Sequence, residues 1–157
     1  MKPNGSRLPG SGPGYPPTMT IVDSLESVVR VAVPARADML HLLRSVAASV
    51  GARMSMPLDD VEELKIAVDE AATLMLDRSG GTPGSLELDL TLTDGSLRVG
   101  LRLEPADAPA GEVASDAELL ATWPWRVIAG MTEEASIERS ETGIAITFMK
   151  TAAGSER

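Results

Sequence analysis

Very few side chains in this sequence could carry out chemistry unaided. The chain has no cysteine and a single histidine, His41, which excludes disulfides, thiolate metal sites and a histidine-rich metal centre. It also lacks a Walker-type phosphate loop, a Gly-x-Ser-x-Gly nucleophile elbow and a His-Glu-x-x-His pair. We expect His41 to be an ordinary helix residue, so the remaining candidates for chemistry are carboxylates.

Acidic residues outnumber basic ones, 23 to 14, and the formal net charge is −9. An acidic surface repels phosphate backbones, and few aromatic rings are present to stack on bases, so we expect no direct binding to nucleic acid. The same acidity favours a basic protein partner, or it serves solubility alone. The acidic residues within 59–63 favour the positive end of a helix dipole and are a weaker candidate for a partner contact.

Trp123 and Trp125 supply most of the large aromatic surface of the chain. A place in the core is the default expectation for such residues. Tryptophan is also enriched at binding hot spots, so both are candidate partner-binding residues. The same two interpretations, partner contact or edge of the core, apply to Met54 and Met56, because methionine suits both environments.

Hydrophobic periodicity predicts one strand and two helices in the first half of the chain. Residues 29–33 alternate with period two and end at Pro34, as a strand does. Apolar residues then recur at helical spacing from about 39 to 50, where Gly51 is a plausible stop. A second helix is predicted from about 59 to 77, and its apolar stripe consists of Val61, Leu64, Val68, Ala71 and Met75.

Two hairpins are predicted in the second half. Residues 86–92 and 97–103 alternate leucine or valine with other residues and are joined by Asp94-Gly95, a strong hairpin signal. A loop follows, and then a helix over about 117–131 that Pro124 breaks or restarts. The final hairpin pairs residues 135–139 with residues 144–150.

Strands that are apolar on one face only must be covered there by the helices. The sequence therefore predicts an α+β two-layer sandwich, with a mixed, mainly antiparallel sheet covered on one face by three helices. We expect one such domain over residues 25–151, a disordered Gly/Pro-rich tail over 1–24 and a frayed end over 152–157. No apolar run is long enough for a signal peptide or a membrane span, so we expect a cytoplasmic protein.

The order of these elements, and several local segments, resemble the anti-sigma factor and serine-protein kinase family of bacterial stress regulators. The best segment is DVEELKIAVDEA at residues 60–71, which is similar to the family helix that ends in a Glu-Ala pair. The opening strand with Pro34 and the terminal GIAITFMK at residues 143–150 match as well. The resemblance covers about residues 28–150 and implies the histidine-kinase-like (GHKL, or Bergerat) ATPase fold.

This sequence does not retain the nucleotide-binding motifs of that family. The asparagine that holds Mg²⁺ would fall at Leu74, whose side chain has no oxygen to offer a hard cation. Glu104 or Asp107 stands where the family has an Asp-x-Gly motif that reads adenine, but the glycine is absent. The glycine-rich phosphate segment would fall at residues 122–125, Thr-Trp-Pro-Trp, where no glycine lets backbone amides approach a phosphate.

The resemblance therefore implies a degenerate, actinobacterial-type member that acts by binding. We expect an anti-sigma factor that sequesters a sigma factor, is released by a STAS-domain antagonist, forms a homodimer and needs no cofactor. The alternative is a kinase that uses ATP and Mg²⁺ to phosphorylate a serine of the antagonist. In that case the resemblance implies that Glu70 is catalytic and that Glu104 or Asp107 binds the nucleotide. A ligand-sensing or scaffold domain is a further alternative.

Overall fold

The computed structural model describes residues 27–107, 115–140 and 143–153. The predicted tail at 1–24, residues 154–157 and Thr142 of the last predicted turn lie outside these ranges. The described elements follow one another as β1 (Ser27–Pro34), α1 (Leu40–Arg53), α2 (Leu58–Ser79), β2 (Gly84–Thr93), β3 (Ser96–Pro105), α3 (Asp116–Leu120), α4 (Trp123–Met131), β4 (Glu133–Ser140) and β5 (Gly143–Thr151), with a short 3₁₀ turn (Ala37–Met39) before α1.

The five strands form one sheet in the order β1-β2-β3-β5-β4, and every strand pair in the described residues is antiparallel. The Asp94-Gly95 turn joins β2 to β3 as predicted, with Gly95 at a φ of 73°. One face of the sheet buries the leucines of β2 and β3 beneath the helices, whereas the other face carries polar and charged residues. The predicted α+β two-layer sandwich is confirmed.

The central helix of the covering layer is α2, which packs between α1 and α4 over β3. Asp59 and Asp60 lie in its first turn, and Gly80 ends it in the left-handed conformation that glycine adopts most readily. Its predicted apolar stripe is buried, and the buried set also includes Ala67, Ala72 and Leu74. Helix α2 is therefore the element that connects the two ends of the helical layer.

One detail, the end of α1, differs from the sequence predictions. Helix α1 runs to Arg53, so Gly51 does not end it. Gly51 is instead a close-packing position, since a Cβ there would lie 3.2 Å from Leu64 Cδ2 and 3.3 Å from the Met56 sulfur. The helix predicted over about 117–131 is divided into α3 and α4, in agreement with the expected break at Pro124. Pro124 stands in the first turn of α4, where its missing N–H costs no hydrogen bond.

None of the helices in the described residues is both long enough and apolar enough to cross a membrane.

Candidate functional site

A groove lies between α1 and α2, on the side of the helical layer that faces away from the sheet. Its volume is about 670 Å³. Four residues from α1 and five from α2 line it: His41, Arg44, Ser45, Ala48, Glu62, Lys65, Ile66, Asp69 and Glu70. The spacing of three and four residues on each helix places these side chains on one face.

The charged groups of the groove are arranged in two pairs and one carboxylate. Arg44 Nη1 donates to Asp69 Oδ1 at 3.1 Å, and Lys65 Nζ donates to Glu62 at 2.9 Å. Glu70, which is half-buried, has no hydrogen bond or ion pair within the described residues. The groove therefore keeps one carboxylate available for a group from outside.

The polar rim of the groove is partly fixed by the helix backbone. His41 Nδ1 lies 2.7 Å from the carbonyl oxygen of Asp38, and the Ser45 hydroxyl donates to the carbonyl oxygen of His41 at 2.8 Å. These contacts orient the first turn of α1 beside the groove. No cluster of three or more His, Cys, Asp or Glu side chains suited to a metal ion occurs in the described ranges.

Leu74, at the position where the resemblance places a metal-binding asparagine, lies in the core. It is one turn after Glu70 on α2, and only 3% of its surface is exposed. A leucine side chain has no oxygen for a cation, and the apolar neighbours of Leu74 leave almost none of its surface in contact with solvent. Glu70 and Leu74 are one helical turn apart, but Glu70 lines the groove whereas Leu74 packs beneath it.

The structure does not bring Glu104 or Asp107 together with Glu70. Glu104 pairs with Ser85 near the end of β3, and its neighbour Leu103 is buried under the helices. Because side chains alternate across a strand, Glu104 faces away from the helical layer that carries Glu70. Asp107 is exposed in the bend that follows β3. Glu104 and the candidate catalytic residue Glu70 thus lie on different layers of the sandwich.

The two tryptophans separate into different environments. Trp125 is buried at 9% exposure beside α2, whereas Trp123 is 72% exposed. The Thr122 hydroxyl accepts from the backbone N–H of Trp125 at 3.4 Å and caps α4. Only Trp123 is available to contact a partner, and Leu120, 46% exposed, lies three residues before it.

Sequence reasoning singled out Glu70 but missed the other groove residues. Arg44, Lys65 and Asp69 belong to the solvent-facing stripes of two amphipathic helices, and such stripes look alike whether or not they line a groove. Their helical spacing was visible in the sequence. The packing of α1 against α2, which makes them neighbours, was not.

Comparison with known proteins gives a distant similarity. The chain is 27% identical over 71 residues to the serine-protein kinase RsbW of Halalkalibacterium halodurans, a match that covers 45% of this chain. The matched part of the chain spans 44% of the length of that relative. No protein-family model matches the chain. The similarity is to a member of the family that the sequence motifs resemble, and it agrees with the observed α+β sandwich.

Proposed function

We propose that this protein is an anti-sigma factor that acts by binding, with the α1–α2 groove as its docking site for a sigma factor. The proposal rests chiefly on Leu74. An aliphatic side chain, 3% exposed, occupies the position at which the resemblance places a magnesium-binding asparagine. The separation of Glu104 from Glu70 supports the same conclusion, because a nucleotide would have to reach both layers.

Glu70 makes the groove favour a basic side chain of the partner. Its carboxylate has no ion pair within the described residues, and the lining carries three carboxylates against the two basic residues Arg44 and Lys65. A basic side chain of the sigma factor would meet a complementary charge there, in a chain whose net charge is −9. A STAS-domain antagonist would release the sigma factor by competing for this groove.

A pair of charge-reversal variants tests the groove. Each sigma factor from the same genome is co-expressed with the protein, and the affinity of any that co-purifies is measured by calorimetry. We expect Glu70→Lys to weaken binding at least about tenfold, or roughly 1.4 kcal/mol. Glu138→Lys is the matched control, because Glu138 is exposed on β4 and its reversal changes the net charge equally.

Equal loss of affinity in the two variants would show a general charge effect and reject the groove. Failure of every sigma factor to co-purify would reject the anti-sigma function itself.

The similarity to a serine-protein kinase supports a second candidate function. In this alternative the protein is a kinase that uses ATP and Mg²⁺. Glu70 would then orient the attacking hydroxyl, and Glu104 or Asp107 would bind the nucleotide. Calorimetric titration with ATP and Mg²⁺ distinguishes the two functions. We expect no binding in the micromolar range. Micromolar binding that disappears in Glu104→Ala or Asp107→Ala would establish the kinase alternative in place of the cofactor-free anti-sigma factor.

A further inference from the structure

His41, the single histidine of the chain, lies in the first turn of α1 and lines the α1–α2 groove. The sequence alone predicts an ordinary helix residue at this position. The structure places its imidazole in the same lining as Glu70, the carboxylate that has no ion pair in the described residues. Histidine is the side chain whose charge changes between about pH 5 and 8. One member of the lining therefore gains a positive charge as the pH falls through this range.

A backbone contact determines which nitrogen of the His41 ring carries the proton. Nδ1 lies 2.7 Å from the carbonyl oxygen of Asp38. A carbonyl oxygen only accepts, so Nδ1 is the donor and the neutral ring has its lone pair on Nε2. Within the described residues no hydrogen bond reaches Nε2, and His41 is exposed. Nε2 is therefore available to accept a hydrogen bond from a partner while the ring is neutral.

The 3₁₀ turn before α1 brings one ion pair close to His41. Arg36 Nη2 lies 2.6 Å from Asp38 Oδ2, and Asp38 is the residue whose carbonyl oxygen holds the imidazole. The pair is neutral as a whole, so it presents no uncompensated charge to His41. From α1 itself, the Ser45 hydroxyl donates to the carbonyl oxygen of His41 at 2.8 Å. These contacts hold the ring at the groove without fixing its protonation state.

Helix α2 contributes two neighbouring carboxylates to the part of the groove beside the start of α1. Asp69 is paired, since its Oδ1 lies 3.1 Å from Nη1 of Arg44, three residues after His41 on α1. Glu70 has no such cation in the described residues. The dipeptide Asp77-Arg78, about two turns further along α2, lies outside the groove lining. Glu70 is therefore the uncompensated charge that shares the groove with the imidazole.

The net charge of the groove lining depends on the protonation of His41. The other charged residues of the lining are three carboxylates and two cations, namely Glu62, Asp69, Glu70, Arg44 and Lys65. The lining therefore has a net charge of −1 while His41 is neutral and of zero once its ring is protonated. In peptides, carboxylates titrate near pH 4 and lysine and arginine above about pH 10, so histidine is the residue type here that changes charge near neutral pH. One proton on His41 removes the preference of the lining for a basic group.

We propose that His41 is a partner-binding residue of the groove and that its protonation weakens the docking of the sigma factor. The inference rests on the proposed function, in which Glu70 receives a basic side chain of the sigma factor. While His41 is neutral, the charge of Glu70 is available to that side chain, and Nε2 accepts a further hydrogen bond from the partner. Once His41 is protonated, its cation competes for Glu70 and repels the basic side chain, and Nε2 becomes a donor. The complex is therefore tighter at neutral pH than at acid pH.

Affinities measured at two pH values test this role of His41. A sigma factor that co-purifies is titrated by calorimetry at about pH 7.5 and about pH 5.5, on either side of the histidine range. We expect the wild type to bind about two- to fivefold more weakly at the lower pH, as for one exposed charge pair. His41→Gln is the matched control, because it keeps a neutral polar side chain, and it should lose this difference. His41→Lys has a permanent charge and should bind weakly at both pH values.

The ratio of the two affinities separates His41 from groups of the partner. Titration of the sigma factor itself changes the ratio equally in the wild type and in His41→Gln, so the difference between their ratios belongs to His41. Equal ratios in these two proteins, or tighter wild-type binding at the lower pH, would overturn the inference and leave the anti-sigma function standing. Wild-type affinity of His41→Lys at neutral pH would overturn it as well. Failure of every sigma factor to co-purify would instead reject the anti-sigma function, and this inference with it.

Discussion

Lys150 Nζ lies 2.5 Å from Glu63 Oε2, which ties the end of the last strand to the first turns of α2. The same ammonium lies 3.3 Å from Asp60 Oδ1 and donates to the carbonyl of Met131 at 3.2 Å. Asp60 in turn accepts from the backbone N–H of Ala153 at 3.0 Å. In the part of the chain that the structure describes, Lys150 is the only buried polar or charged residue, at 5% exposure.

Replacement of Lys150 by methionine should destabilise the fold. Methionine fills a similar volume but leaves Asp60 and the Met131 carbonyl without their buried donor, so we expect a loss of about 1–3 kcal/mol. Lys65→Met is the matched control, because Lys65 pairs with Glu62 on the surface of α2. Such exposed pairs contribute about 1 kcal/mol at most. Urea denaturation of both variants measures the difference, and equal effects would contradict a structural role for Lys150.

The stability of the protein should fall at both acid and alkaline pH through this cluster. The hydrogen bond from Ala153, supported by Lys150, holds the pKa of Asp60 below its ordinary value. Its contribution is complete above the unfolded pKa of about 3.9 and is lost as the pH falls through the lower folded pKa. Burial opposes the charge of Lys150, but Glu63 and Asp60 outweigh it and raise the pKa. That contribution is complete below about pH 10.4 and is lost as the pH rises through the higher folded pKa.

The Lys150→Met variant checks this pH dependence by urea midpoints measured across the pH range. The variant should lose the alkaline decrease that Lys150 causes and show a smaller acid decrease. A variant whose alkaline profile matches the wild type would assign that decrease to other groups.

Replacement by alanine should lower the stability of the fold much more at Trp125 than at Trp123. Trp125→Ala removes a buried ring from the interface of α4 with α2 and should cost about 3–5 kcal/mol of stability. Trp123→Ala removes a ring that is 72% exposed, so its stability should change by less than about 0.5 kcal/mol. If Trp123 contacts a sigma factor, the same variant weakens binding, as measured by calorimetry. An equal thermal shift in both variants would contradict the difference in burial.

Leu74→Asn tests whether the family asparagine can be restored. The amide would enter an enclosed apolar site, and burial of a polar group without a partner costs about 1–3 kcal/mol. We expect lower thermal stability and no ATP binding with Mg²⁺. Leu74→Met, which keeps an apolar side chain of similar volume, is the control and should cost less than about 1.5 kcal/mol. Micromolar ATP binding by the asparagine variant would show that the rest of a nucleotide site is intact.

Local patterns in the sequence were sufficient for the architecture. The alternation in β2 and β3, the Asp94-Gly95 turn and the apolar stripe of α2 predict elements that occur as expected, because period and turn chemistry act over a few residues. The end of α1 was placed too early, since close packing at Gly51 depends on Met56 and Leu64 rather than on the helix itself.

The sequence by itself determined that the domain is an α+β sandwich and that no thiolate or histidine-rich metal site is possible. Only the tertiary structure decided that α1 and α2 form a groove with Glu70 in it, that Glu104 lies on the other layer, and that Lys150 is buried between Asp60 and Glu63. The division has a physical cause. Secondary structure follows from neighbours in the chain, whereas burial and charge pairing depend on which distant segments pack together.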